Sequence, residues 1–151
     1  MRSGMRRNRD KESGTTAIEF VVFTPLLFLL MFGSVQVGLA LFARHVAVTA
    51  AQEGARTARE QAANPNADWQ TLSIQASNGW VTSLLGHLVE GGPNFSTPFV
   101  QVPLADPYPE VGTTVQFSIV SVMPGWTFTV NAQSVGPVEC FYTPDGHCNG
   151  Y

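Results

Sequence analysis

Gly14-Thr15-Thr16-Ala17-Ile18-Glu19-Phe20-Val21-Val22-Phe23-Thr24-Pro25-Leu26-Leu27 opens the segment that sets the architecture of this chain. From Phe20 to Ala43 no residue is charged, and Phe, Leu and Val dominate. As a helix this run is about 36 Å long at ~1.5 Å per residue, against a bilayer core of roughly 30 Å. It can span a membrane with some tilt. Its interruptions are mild: Thr24, Pro25, Ser34 and Gln36. Pro25 removes one backbone hydrogen bond and is expected to kink the helix. A buried core helix of this length does not suit a chain of 151 residues, which has room for one modest domain.

Charge is distributed unevenly around the run. Residues 1–14 hold Arg2, Arg6, Arg7, Arg9 and Lys11 against Asp10 and Glu12, a net +3. The rest holds three Arg and nine carboxylates, a net −6. A basic segment directly before an apolar span stays cytoplasmic, so the C-terminal part is expected to be translocated. That position makes the basic segment a topology signal rather than a nucleic-acid-binding arm. A removable secretory signal has an apolar region of only about 7–15 residues. This run is longer and no Ala-x-Ala site ends it, so the helix is expected to be retained. Glu19 is the unusual residue: a carboxylate at the edge of an apolar span is costly and points to a function. A helix N-terminus also favours an acid there.

With these residues in view, the segment resembles the class III signal of type IV pilins and pseudopilins: a short basic leader, Gly14, and Glu19 five residues on, heading an apolar helix. More of the chain is similar to the TadE-like proteins, minor pilin-like components of tight-adherence (Tad) pilus systems. Ala17-Ile18-Glu19-Phe20, Pro25 and the later Glu53-Gly54-Ala55-Arg56 carry the resemblance, strongest over about residues 14–60. Gln36 departs from it, because family members often place a second Glu there, and a C-terminal Cys pair is not general to the family. The resemblance implies cleavage between Gly14 and Thr15 by a prepilin peptidase, with glycine leaving the backbone unobstructed at the cut. It implies that Glu19 meets a free N-terminal amine in a bundle of such helices, a pairing that fixes register more than it adds stability. It also implies a type IV pilin-like α+β fold, no cofactor, and as partners the membrane, other pilins or pseudopilins and the Tad secretion platform, with no nucleic acid.

Three segments are expected: a leader over 1–14, a long helix over 15–63 with its membrane part at about 20–43, and an exported domain over 64–151. Beyond Arg44 and His45, Ala47, Ala51, Ala55, Ala58 and Ala62 recur at helical spacing and form a small-residue stripe. Asn64 and Pro65 end that helix. From Asp68 to Glu90, Leu72, Ala76, Trp80, Leu84 and Leu88 repeat at i+4, widened by Ile74, Val81 and Leu85. This spacing predicts an amphipathic helix capped near Asp68 and ended by Gly91-Gly92-Pro93. Strands are predicted at Phe99–Val102, Val115–Ile119 and Trp126–Gln133, the last with Trp126, Phe128, Val130 and Ala132 on one face. Pro124-Gly125 marks a turn, so the strands form a small antiparallel meander covered by helices.

Cys140 and Cys148 fall in the exported part, seven residues apart. They are expected to close a disulfide there, the alternative being two free thiols. His147 and Cys148 lack the further ligands of a metal site. Asp106 and Glu110 flank a Pro-rich loop without the oxygen series a calcium site needs. No nucleophile elbow, phosphate loop or His-Glu-x-x-His is present, and His45, His87 and His147 are scattered. A non-enzymatic subunit for assembly or adhesion is therefore expected, in the inner membrane with its N-terminus cytoplasmic. A membrane-tethered binding or sensing module outside any filament is the alternative.

Overall fold

The computed structural model describes the backbone of residues 9–64, 66–97, 99–100, 110–122 and 125–139, with side chains over 17–64, 66–97, 110–122 and 125–139. Contacts divide the chain into two compact units, Met1–Gly38 and Leu39–Tyr151. Helix α1 (Arg9–Gln61) contributes to both.

In the first unit α1 is helical without interruption, through Pro25. The large apolar side chains from Ile18 to Phe32 are 40–71% exposed. Phe20, Val21, Val22 and Phe23 are consecutive and all exposed, so exposure runs round a full turn. A soluble core helix buries at least one stripe. The polar groups turn inward on the helix itself: Thr24 Oγ1 donates to Phe20 O at 2.6 Å and Ser34 Oγ to Met31 O at 2.8 Å. An apolar helix with its hydroxyls satisfied internally suits a hydrocarbon solvent. The helical stretch from Ala17 has a window of mean hydropathy 2.2 with only 11% of it buried, and fits a single-pass membrane protein.

The second unit packs the later part of α1 and a shorter helix on one face of a sheet. Ala43, Val46, Ala47, Ala50 and Ala51 form the α1 side of its core. The Ala stripe therefore faces inward, where small side chains let the backbones approach closely. Helix α2 (Trp69–Leu84) starts at Asp68, whose carboxylate accepts from Thr71 N at 3.2 Å and from Thr71 Oγ1 at 2.6 Å. It stops well before Gly91. Gly86 has φ +48°, a 3-10 turn follows over Gly86–Leu88, and Val89 already belongs to a strand.

Strand β1 (Val89–Ser96), which the helical spacing had masked, is antiparallel to β3 (Glu110–Ile119). Gly91 and Gly92 take φ +73° and +84° where the β1–β3 register shifts between Glu90 and Asn94. They make a bulge in a strand instead of ending a helix. Strand β2 (Phe99–Val100) continues along the same side of β3, Phe99 opposite Val111 in step with Ser96 opposite Thr114. Strand β4 (Phe128–Pro137) pairs with the other side of β3 from Ile119↔Phe128 to Glu110↔Pro137. The result is a small antiparallel meander with β3 at its centre, in a pilin-like α+β fold. Both later strands extend beyond their predicted ends, β3 toward its N-terminus and β4 toward its C-terminus.

Alternation sets the inner face: Val111, Thr113, Val115, Phe117 and Ile119 of β3, with Val130 and Ala132 of β4, are buried. Trp126 precedes β4 and is 60% exposed, so it does not share the core face expected for it. It leans on Phe128, ring centroids 6.2 Å apart.

Candidate functional site at the two motifs of the long helix

The first motif lies at the start of α1. Gly14 and Thr15 are in helical backbone, since α1 begins at Arg9. Glu19 is exposed. Five residues separate it from Gly14, about 7.5 Å along the axis at ~1.5 Å per residue. Glycine is a poor helix former, costing about 1 kcal/mol relative to alanine, so Gly14 is a weak point at which a helix unwinds locally.

The second motif, Glu53-Gly54-Ala55-Arg56, divides between core and surface. Gly54 and Ala55 are buried and Arg56 is exposed. Gly54 faces α2 and β3 at the point where three elements meet. A Cβ on Gly54 would lie 2.7 Å from Thr113 Oγ1, 3.0 Å from Thr113 Cβ, and against Ser77 Oγ. Only glycine permits this approach. The hydroxyls around it are fully buried and satisfied: Ser77 Oγ donates to Ala50 O at 3.0 Å, and Ser73 and Thr113 hydrogen-bond to each other.

This junction explains which way α2 turns. Ser73, Ser77, Val81 and Leu85 are buried, whereas Leu72, Trp80, Leu84 and Leu88 of the i+4 stripe are 39–45% exposed. The larger side chains do not fit beside Gly54, so α2 directs its small hydroxyl-bearing stripe inward. Ser73, Ser77 and Thr113 are members of the site that spacing of apolar residues missed. The signal available was two serines at i+4, one position along from the apolar stripe.

Arg56 bonds Glu60 through Nε–Oε1 at 2.9 Å, an exposed i,i+4 pair. The hydrogen bond to Glu60, then the charges of Glu60 and Glu53, hold its guanidinium above its ordinary pKa. Exposed pairs of this kind add little stability. One turn on, Arg59 lies against Gly136 of β4, where a Cβ would be 3.0 Å from both Cδ and Nη1. Its carbonyl accepts Glu139 N at 3.2 Å, tying the segment after β4 to α1. Glu110 begins β3 and His87 sits exposed in the short 3-10 helix after α2, not in α2 itself. Cys140, Cys148, Asp106 and His147 lie outside the described residues. Among the described residues no cluster of His, Cys, Asp or Glu could hold a metal ion.

One apolar helix, exposed along its first part and built into an α+β core along its second, gives a pilin-like fold whose first helix fits a single-pass membrane protein. Residues 14–56 match the family model described as TadE-like protein, so this segment of the chain is similar to that family. The match runs from Gly14 to Arg56, so both motifs fall inside it. Neither the curated proteins nor the solved structures include a match to the chain.

Proposed function

We propose that this chain is a non-enzymatic minor pilin or pseudopilin-like subunit for assembly or adhesion of a Tad-type pilus. A prepilin peptidase cuts between Gly14 and Thr15 from the cytoplasmic side of the inner membrane. The apolar helix stays in the bilayer, and the domain from residue 64 onward is exported. Glu19 then meets the new amine of a neighbouring subunit or its own. Other pilins or pseudopilins and the Tad secretion platform are its partners.

The observation that supports this reading best is the Gly14-to-Glu19 spacing at the head of a helix that is apolar on every side, within the TadE-like match. In lipid a carboxylate so placed needs a partner, and cleavage would create one. Mass spectrometry of the membrane-extracted protein tests the reading. A mature N-terminus at Thr15 is expected. An N-terminus beyond Ala43 would mean a secreted domain and would defeat it.

A further inference from the structure

Leu39 to Ala43 are the last residues of the uncharged run, yet they belong to the compact unit that contains the sheet. Whatever packs beside them stands where the run leaves the bilayer. Leu39 and Phe42 line an apolar hollow together with Leu85, Leu88, Ile119 and Val120. Val120 N donates to Leu88 O at 2.9 Å, and Ile119 pairs with Phe128, so the β3–β4 connection emerges at this same end. Leu84, Leu88, Val120, Val122 and Trp126 are all exposed around it.

Charge is segregated along the same axis. Trp69 packs with Ala58, Val111 and Val138 at the opposite end. Glu110 pairs with Pro137 and Glu139 N donates to Arg59 O at that end, and Asp68 directly precedes Trp69. No Asp, Glu, Lys or Arg occurs from Val111 to Val138, which includes the whole β3–β4 connection. Arg44 and Glu90 are the charged residues near the apolar rim among those described. An exposed tryptophan in a connection free of charged residues, with exposed aliphatic side chains in the same unit, is the composition of a membrane-interface belt.

We infer that this rim, formed by Leu84, Leu88, Val120, Val122 and Trp126, sits in the outer interface of the bilayer and seats the exported domain on lipid. The occupant is the headgroup–acyl boundary of the leaflet that α1 leaves. The rim reaches it by chain continuity, because the core neighbours of Leu39 and Phe42 have no other level to occupy. Seating the domain limits its rotation about the membrane exit and sets the height at which it meets other subunits. This inference rests on the membrane span and its proposed orientation, and not on the pilus role.

The full chain, reconstituted in phosphatidylcholine nanodiscs, provides the test. Lipids brominated near the glycerol end of their acyl chains quench tryptophan at the interface. Resistance to alkaline extraction first verifies that α1 spans, so a failure of the span is distinguished from a failure of the rim. With Trp126 seated, bromination removes roughly a third of the wild-type emission, one tryptophan of 3, and much less of the Trp126→Phe emission. Phenylalanine is tolerated at so exposed a position, and circular dichroism verifies the fold. Equal quenching of wild type and Trp126→Phe overturns the proposal. So does shielding of Trp126 from an aqueous quencher that appears only in discs holding several copies, because the rim would then be a contact between subunits.

Discussion

Gly54→Ala isolates the feature on which the packing of the sheet-containing unit turns. The added Cβ would meet Thr113 Oγ1 at 2.7 Å and Thr113 Cβ at 3.0 Å, and press on Ser77 Oγ. Neither neighbour is free to swing away, because Ser77 is bonded to Ala50 O and Thr113 to Ser73. Forcing a methyl into a filled core costs about 1–3 kcal/mol. Loss of the Ser77 hydrogen bond adds about 0.5–1.5 kcal/mol. Alanine's better helix propensity returns about 1 kcal/mol. The net expectation is a loss of about 0.5–3.5 kcal/mol, or a melting temperature lower by about 2–20 °C. Urea unfolding of the full chain in detergent, followed by tryptophan emission, measures it, since Trp69, Trp80 and Trp126 all lie in the domain. Gly79→Ala is the matched control: no atom lies within 4 Å of its Cβ position, so the same substitution should stabilise by up to about 1 kcal/mol. Combining Gly54→Ala with Ser77→Ala should restore part of the loss, a coupling expected only for residues in contact. A Gly54→Ala protein as stable as wild type would refute the close approach and, with it, the account of why α2 faces as it does.

Three further outcomes are expected. Gly14→Leu should leave the protein at its full mass in membranes that process the wild type, read by intact-protein mass spectrometry; normal shortening would remove Gly14 from the cut site. Glu19→Gln should be cut like wild type but lose incorporation or co-purification with other pilin-like subunits, and unchanged incorporation would end the pairing role. Asp68 is held below its ordinary pKa by the Thr71 side-chain hydrogen bond and then by backbone N–H bonds. A depressed carboxylate contributes stability that is present above the unfolded value of about 3.9 and lost as pH falls through the lower folded value. Asp68→Asn keeps a cap but should flatten that acid limb in urea titrations between neutral and acidic pH, and an unaltered limb would place the dependence elsewhere.

The apolar run was legible because it depends on order along the chain: the large apolar side chains from Ile18 to Phe32 are exposed and need no tertiary partner to be recognised. Gly14 and Glu19 are read by spacing alone, and their roles as cut site and pairing carboxylate belong to the proposed function. The second motif was legible only as a string. That Gly54 is the contact point, with Arg56 beside it on the surface, depends on Ser77 and Thr113, which are 23 and 59 positions away. The i+4 stripe Leu72-Ala76-Trp80-Leu84-Leu88 identified α2 as a helix, and Val81 and Leu85, which widened it, are buried, but Leu72, Trp80, Leu84 and Leu88 are exposed and Ser73 and Ser77 take the core side instead. Gly91-Gly92 was read as a helix stop, although a bulged strand uses the same two positive-φ residues.

The apolar uncharged run, the basic leader and the proposed Gly14–Glu19 signal are properties of composition and linear spacing. Solvent alone acts on them, and they can be read without knowing what the rest of the chain does. Two stripes on α2, Leu72-Trp80-Leu84 and Ser73-Ser77-Val81, lie one residue apart, and each is periodic enough to make a helix. Tertiary contact chose between them: α1 and β3 approach too closely at Gly54 for the larger side chains, so the serines went in and the apolar stripe was left outside.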